Sequence, residues 1–231
     1  MNDCTIHAAA WLGPEGYGND QTGLQAWPAS LQEDLSRGNL DCLHWSLLSP
    51  SDPSRFLRMD LMCRLGFLAV ELLAVDFAAL PGGRREALGV CVESSTGSLD
   101  ADIRFIQNPR PSIFAYTLPS TVIGEICIRH GFKGPVLSLI SPDTEGADAL
   151  AEGSEWIRGG EAEMAVCLGI EALNPLRTAA IHGPTFLSPS GWHGMALLLG
   201  PPAHTPREKP LVAGSLKEIC RKWCAVPEHT C

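Results

Sequence analysis

Apolar positions along this chain change rhythm repeatedly, from alternation to helical spacing and back, and that change predicts layered α/β structure. Residues 4–12 alternate small and apolar side chains before Gly13-Pro14-Glu15-Gly16, which predicts an opening strand with a tight exit. Over residues 60–77, Leu61, Leu65, Leu68, Ala69, Leu72 and Leu73 fall at helical spacing, and Pro81-Gly82-Gly83 closes the segment. Residues 88–93 read as a short buried strand, followed by a loop of small residues at 94–97 where backbone can approach another element closely. Between Pro119 and His130, Val122, Ile123, Ile126 and Cys127 form one face with Glu125 and Arg129 opposite, which predicts a helix beginning just after a proline.

Residues 136–140 are too apolar for an exposed strand and are expected at the centre of a sheet. A helix over 144–158 stops at Gly159-Gly160, residues 164–168 supply another buried strand, and 195–199 a last strand near the sheet edge. Residues 21–55, in which Pro28, Pro50 and Pro53 punctuate short helical pieces, read as an irregular, mobile surface loop. Domain organisation follows: one domain over 1–200, then over 201–231 a linker and a C-terminal amphipathic helix. That helix opens with the capping box Ser215-Leu216-Lys217-Glu218 and lines up Leu216, Ile219, Cys220 and Trp223 on one face.

Composition narrows the functions. With 45% hydrophobic and 19% charged residues the chain reads as a compact soluble globule, and a formal charge of −9 without a basic patch argues against nucleic acid. No apolar run reaches the ~18 residues of a spanning helix, and the amino end lacks a basic-then-apolar leader, so a cytoplasmic location is expected. Nine cysteines, scattered through core-like segments, read as reduced small hydrophobes rather than a disulfide framework. Cys220, Cys224, His229 and Cys231 offer metal-ligand atoms, but not at a finger spacing, and no metal or other cofactor is expected.

Four pieces, in order, carry a family resemblance. Phe56-Leu57-Arg58-Met59-Asp60 before an apolar helix is similar to the RRMD-type helix start of the β-ketoacyl synthases, and residues 89–97 to their strand ending in a Thr-Gly loop. Residues 110–146, RPSIFAYTLPSTVIGEICIRHGFKGPVLSLISPDTEG, resemble the segment from the TLP turn to the nucleophile elbow. RGGEAEMAVCLGIEAL resembles the following helix end and glycine-containing strand. The resemblance covers about residues 6–173 and then fades. It implies the N-terminal half of a thiolase-like layered α/β fold, with a mixed sheet of about five strands flanked by helices. It is nearest to N-terminal-domain-only members that resemble the chain-length-factor-like partners of aryl-polyene ketosynthases.

At the elbow, Ser141-Pro142-Asp143 stands where the family carries Thr-Ala-Cys, and Ser120 follows TLP where Asn is common. A helix amino end lowers a thiol's pKa and makes thiolate; a carboxylate placed there is stabilised by the same dipole and becomes a still poorer attacker of a thioester. The elbow therefore reads as degenerate, an ordinary helix start with Ser141 as cap and no catalytic residue. The alternative is a free-standing acyl hydrolase or transferase using Ser141 or Asp143, with His130 or His182 brought within hydrogen-bond reach. His182-Gly183-Pro184-Thr185 imitates a family His-Gly-Thr motif but follows Asp143 too closely, and His193 reads as structural.

What the resemblance implies is a subunit without independent activity. It would form a heterodimer with a full-length ketosynthase and meet acyl carrier protein through that complex, in fatty-acid or polyketide biosynthesis. The strand over 164–168 is expected to offer its free edge to the partner. By position in the family, Phe105, Ile113, Phe114, Tyr116 and Thr117 are the candidates to contact the partner and shape its acyl tunnel; filling this chain's own core is the competing role. A homodimeric module that binds acyl carrier protein is the other alternative.

Overall fold

A computed structural model describes residues 4–37, 39–43, 56–80, 83–142, 145–173, 192–202, 209–210 and 214–226. Its centre is one mixed sheet built from β1 (Thr5–Gly13), β2 (Gly16–Asn19), β3 (Gly23–Gln25), β4 (Leu88–Ser94), β5 (Val136–Ile140), β6 (Met164–Glu171), β7 (His193–Gly200) and the short β8 (Lys209–Pro210). The order is β3-β2-β1-β7-β6-β4-β5, with β8 beside β1. β4 runs parallel to both β5 and β6, while β7 is antiparallel to its neighbours β6 and β1. Strands β1, β7, β6, β4 and β5 are the expected five; the hairpin of β2 and β3 and the β8 pairing bring the described sheet to eight.

Alternation along the strands splits the core in two. Val90 and Val92 of β4, Val166, Leu168 and Ile170 of β6, and Ala196 and Leu198 of β7 face α2 (Leu61–Leu72) and α5 (Thr121–His130). Cys91, Ala165, Cys167, Leu197 and Leu199 face α6 (Ala147–Gly159) and the last helix, α7 (Leu216–Trp223). Three further helices, α1 (Ala29–Ser36), α3 (Leu99–Gln107) and α4 (Pro111–Phe114), precede α5. The two cores sandwich the sheet, which is the layered α/β architecture that the strand and helix rhythm predicts.

The differences from the sequence reading have local causes. α2 begins where expected because the Asp60 carboxylate accepts the Cys63 amide at 2.9 Å, but it ends at Leu72; Ala74 takes φ 53°, and a separate short turn covers Phe77–Ala79. α6 starts at Ala147 behind an N-cap Gly146, so Ser141 is not its cap. β7 is an inner strand rather than one near the edge, because β1 and β6 pair on either side of it. β5 is not central: β4 is its ladder partner, and it forms the far end of the described sheet. β6 in turn has no free edge, being hydrogen-bonded to β4 and β7. α7 carries the expected capping box of Ser215 and Glu218 and buries Leu216 and Cys220 against the sheet. Within residues 21–43 the expected irregular surface loop instead carries β3 and α1 and sends Trp27, Leu35, Leu40 and Leu43 into the core; residues 44–55, and with them Pro50 and Pro53, lie outside the described residues.

Candidate functional site

The parallel strands β4, β5 and β6 end together, and the quoted motifs converge there. β4 runs into the loop Ser95-Thr96-Gly97, which Glu171 at the end of β6 holds: its Oε1 accepts the Ser95 amide at 2.7 Å, and its Oε2 accepts the Ser95 hydroxyl at 2.7 Å and the Thr96 hydroxyl at 3.4 Å. Glu171 is buried, which raises its pKa, while the hydrogen bonds from Ser95 and Thr96 and the charge of Lys217 oppose the rise. Gly97 takes φ 53°, and a side-chain carbon there would meet Ile140 at 2.9 Å and Pro119 at 3.2 Å. Glycine is needed on both counts. The Ser98 hydroxyl donates to the Thr117 carbonyl at 2.6 Å, so the TLP turn is tied to the same loop. Ser141 follows directly from β5, is buried, and its amide donates to the Ser94 carbonyl at 3.1 Å. Asp143 and Thr144 lie outside the described residues.

The amino end of α6 lies beside this loop. Its Ala149 amide donates to Glu93 Oε2 at 2.9 Å, and the amides of Gly146 and Asp148 also favour the ionised Glu93. Burial dominates and raises the Glu93 pKa. Gly146 has φ 73°, and a side-chain carbon on it would stand 2.9 Å from Leu216 Cβ. The start of α7 thus packs onto the helix end, with the Lys217 amide donating to the Glu145 carbonyl at 3.0 Å. Glu93 caps α6 across 56 residues of chain. Sequence reading missed this contact, since only the fold brings β4 under α6.

The histidines do different work. His130 closes α5 among Phe67, Phe77 and Phe132, with ring centroids 6.3, 5.1 and 5.2 Å away, and Nε2 lies 3.4 Å from Glu71. Burial, helped by the charge of Arg129, pushes its pKa down to about 4, so the ring is neutral near pH 7. His193 opens β7, buried and stacked on Trp11 at 5.6 Å. His182 lies outside the described residues, as do His229 and Cys231. Cys220 and Cys224 are buried, their thiols directed at the Ala196 and Ala9 carbonyls at 3.6 and 3.8 Å. All eight described cysteines are free thiols.

The five residues named as tunnel candidates divide into two groups. Tyr116 lines a cavity of about 480 Å³ with Arg58, Ser112, Ala115 and Glu125, and Ile113 joins it in an adjoining one of about 190 Å³. Phe105 and Phe114 instead pair with each other, centroids 5.5 Å apart, and the Thr117 hydroxyl donates to the Phe114 carbonyl at 2.8 Å. Glu125 is a correction: read onto the outward face of α5, it is buried and accepts the Tyr116 hydroxyl at 3.4 Å. Burial, reinforced by Glu125, lifts the Tyr116 pKa to about 12, which keeps the phenol a hydrogen-bond donor. Arg129 does face outward as expected, with Gly124 and Ile128 beside it.

One surface stands out. Of the seven exposed large apolar side chains among the described residues, six lie between Ile106 and Ile140. Val136 and Ile140, at the two ends of β5, are 55% and 60% exposed, and Ile128 on α5 is 65% exposed. An apolar edge strand with an open backbone ladder is what sheet proteins ordinarily cover.

Residues 44–193 match the family model of the β-ketoacyl synthase N-terminal domain. The ketoacyl synthase alpha subunit of the tetracenomycin polyketide synthase of Streptomyces glaucescens is 34% identical over 68 residues, 29% of this chain and 16% of that protein. Among solved structures, the ishigamide ketosynthase/chain length factor is 19% identical, with TM-score 0.60, covering 90% of this chain and 64% of that one. The ketosynthase ApeO in complex with its chain length factor ApeC from Xenorhabdus doucetiae is 17% identical, with TM-score 0.52, covering 88% of this chain and 81% of that one. A β-ketoacyl synthase from Burkholderia phymatum STM815 is 15% identical, with TM-score 0.58, covering 88% and 60%. At these identities the likeness is one of fold.

Proposed function

Since this chain belongs to the β-ketoacyl synthase family, by its N-terminal domain, we propose that it is a chain-length-factor-like subunit without acyl chemistry of its own. The partner proposed for it is a full-length, cysteine-bearing ketosynthase of fatty-acid or polyketide synthesis, of the aryl-polyene type. The observation that carries the reading is the apolar edge at β5, beyond which no strand pairs among the described residues. A strand that is buried by composition yet exposed at Val136 and Ile140 is suited to a partner strand, which would extend the sheet and satisfy the open backbone groups.

On this reading the Tyr116 and Ile113 cavities form part of the wall of the partner's acyl tunnel, while Phe105 and Phe114 contribute to the contact between subunits. Burial of a single methylene is worth ~0.8 kcal/mol, so a wall that removes room for a few of them is enough to arrest elongation. Asp143 at the position of the nucleophile supports the absence of acyl transfer on this chain, and acyl carrier protein is met through the complex. Co-expression with a cysteine-bearing ketosynthase from the same genome, followed by native mass measurement, tests the pairing. A one-to-one heterodimer is expected; a stable homodimer that ignores the ketosynthase would refute it.

A further inference from the structure

We infer that Glu93 is an internal counter-anion for α6, filling the amino end of that helix from within the sheet so that a nucleophile placed on its first turn is left unactivated. The inference rests on the non-catalytic reading above and names a group that enforces it. α6 runs for 13 residues, long enough for its aligned peptide dipoles to place roughly half a positive charge at its first turn. Such an end draws in an anion, and in a nucleophile elbow the anion it favours is the thiolate.

Here that place is taken. Glu93 is 2% exposed, its Oε2 accepts the Ala149 amide at 2.9 Å, and the amides of Gly146 and Asp148 are directed to the same carboxylate. Oε1 is buried and makes no hydrogen bond, so a bond to the helix end, not a side-chain network, holds the group. Access from the other side is closed by Leu216, which packs on Gly146. A second negative charge brought to this turn meets Glu93 at short range, with the exposed Asp148 and the half-buried Glu145 beside it, and that repulsion raises the cost of forming it.

The test places a thiol on the exposed first residue of α6. In Ala147→Cys, alkylation by iodoacetamide is followed against pH at that one peptide by mass, with Glu93 intact and again with Glu93→Gln, which retains an oxygen for the Ala149 amide. With Glu93 present the thiol is expected to titrate at or above the ordinary cysteine value of about 8.5. The double variant is expected to titrate about one unit lower, giving about tenfold more thiolate at neutral pH. A depressed thiol pKa in the single variant overturns the inference whether or not the double variant folds; equal values in the two overturn it as well. Pairing is measured separately, so an unmodified chain that fails to pair would refute the proposed function and leave the thiol result standing.

Discussion

Replacing both Val136 and Ile140 by lysine is expected to abolish pairing while sparing the isolated chain. Full burial of such side chains is worth about 1.5–3 kcal/mol each. With 55% and 60% of their surface still exposed, a partner can gain about 1–2 kcal/mol from each, or about 3 kcal/mol together. Losing that amount weakens the complex about 100-fold, and two ammonium groups at a strand edge oppose pairing further. Isolated stability has far less to lose, because these side chains already meet water; a change within about 1 kcal/mol is expected. Sedimentation of the mixed subunits gives the affinity, and urea denaturation of the chain alone gives the stability. An unchanged heterodimer would remove β5 from the interface, and collapse of the isolated chain would mean that these residues serve its own core.

Two further predictions concern the interior. The His130 pKa is lowered by burial from 6.5 to about 4, so the unfolded chain binds the proton more readily. Stability is therefore lost as pH falls from about 6.5 towards 4, by up to about 3 kcal/mol. Glu71 and Arg129 are the charged neighbours of the ring, and Arg129 holds Glu71 at 3.3 Å. Melting temperature against pH should fall less steeply in His130→Gln across that window, and parallel curves would count against the assignment. Glu171→Ala strips the 95–96 loop of its acceptor and leaves the Ser95 amide without one, at a cost of about 2–3 kcal/mol. Hydrogen exchange should accelerate first at residues 95–97; protection unchanged there would show that the clamp is dispensable.

Much of the layering was legible in local pattern. α2, α5 and α7 carry helical stripes long enough to read, and Asp60 and Ser215 mark two helix starts by capping chemistry that acts over three residues. The place of β5 is not legible, because a short apolar run is written alike for a central strand and for one at the end of the sheet. The start of α6 is obscured in the sequence because Ser141-Pro142 imitates a cap, whereas the backbone turn falls at Gly146 with φ 73°. Glu125 is not legible as buried, because the α5 stripe marks only part of the buried face and Tyr116 brings that carboxylate inside. The clamps made by Glu93 and Glu171 join residues 56 and 76 positions apart, a separation at which sequence spacing carries no signal.

The most direct test follows the acyl group itself. The purified pair is incubated with an acyl thioester donor, and each subunit is then weighed intact under denaturing conditions. The account predicts a covalent acyl adduct on the cysteine-bearing ketosynthase and none on this chain, with the same outcome in Ser141→Ala and Asp143→Ala variants. A stable acyl adduct on this chain, lost in either variant, would contradict it.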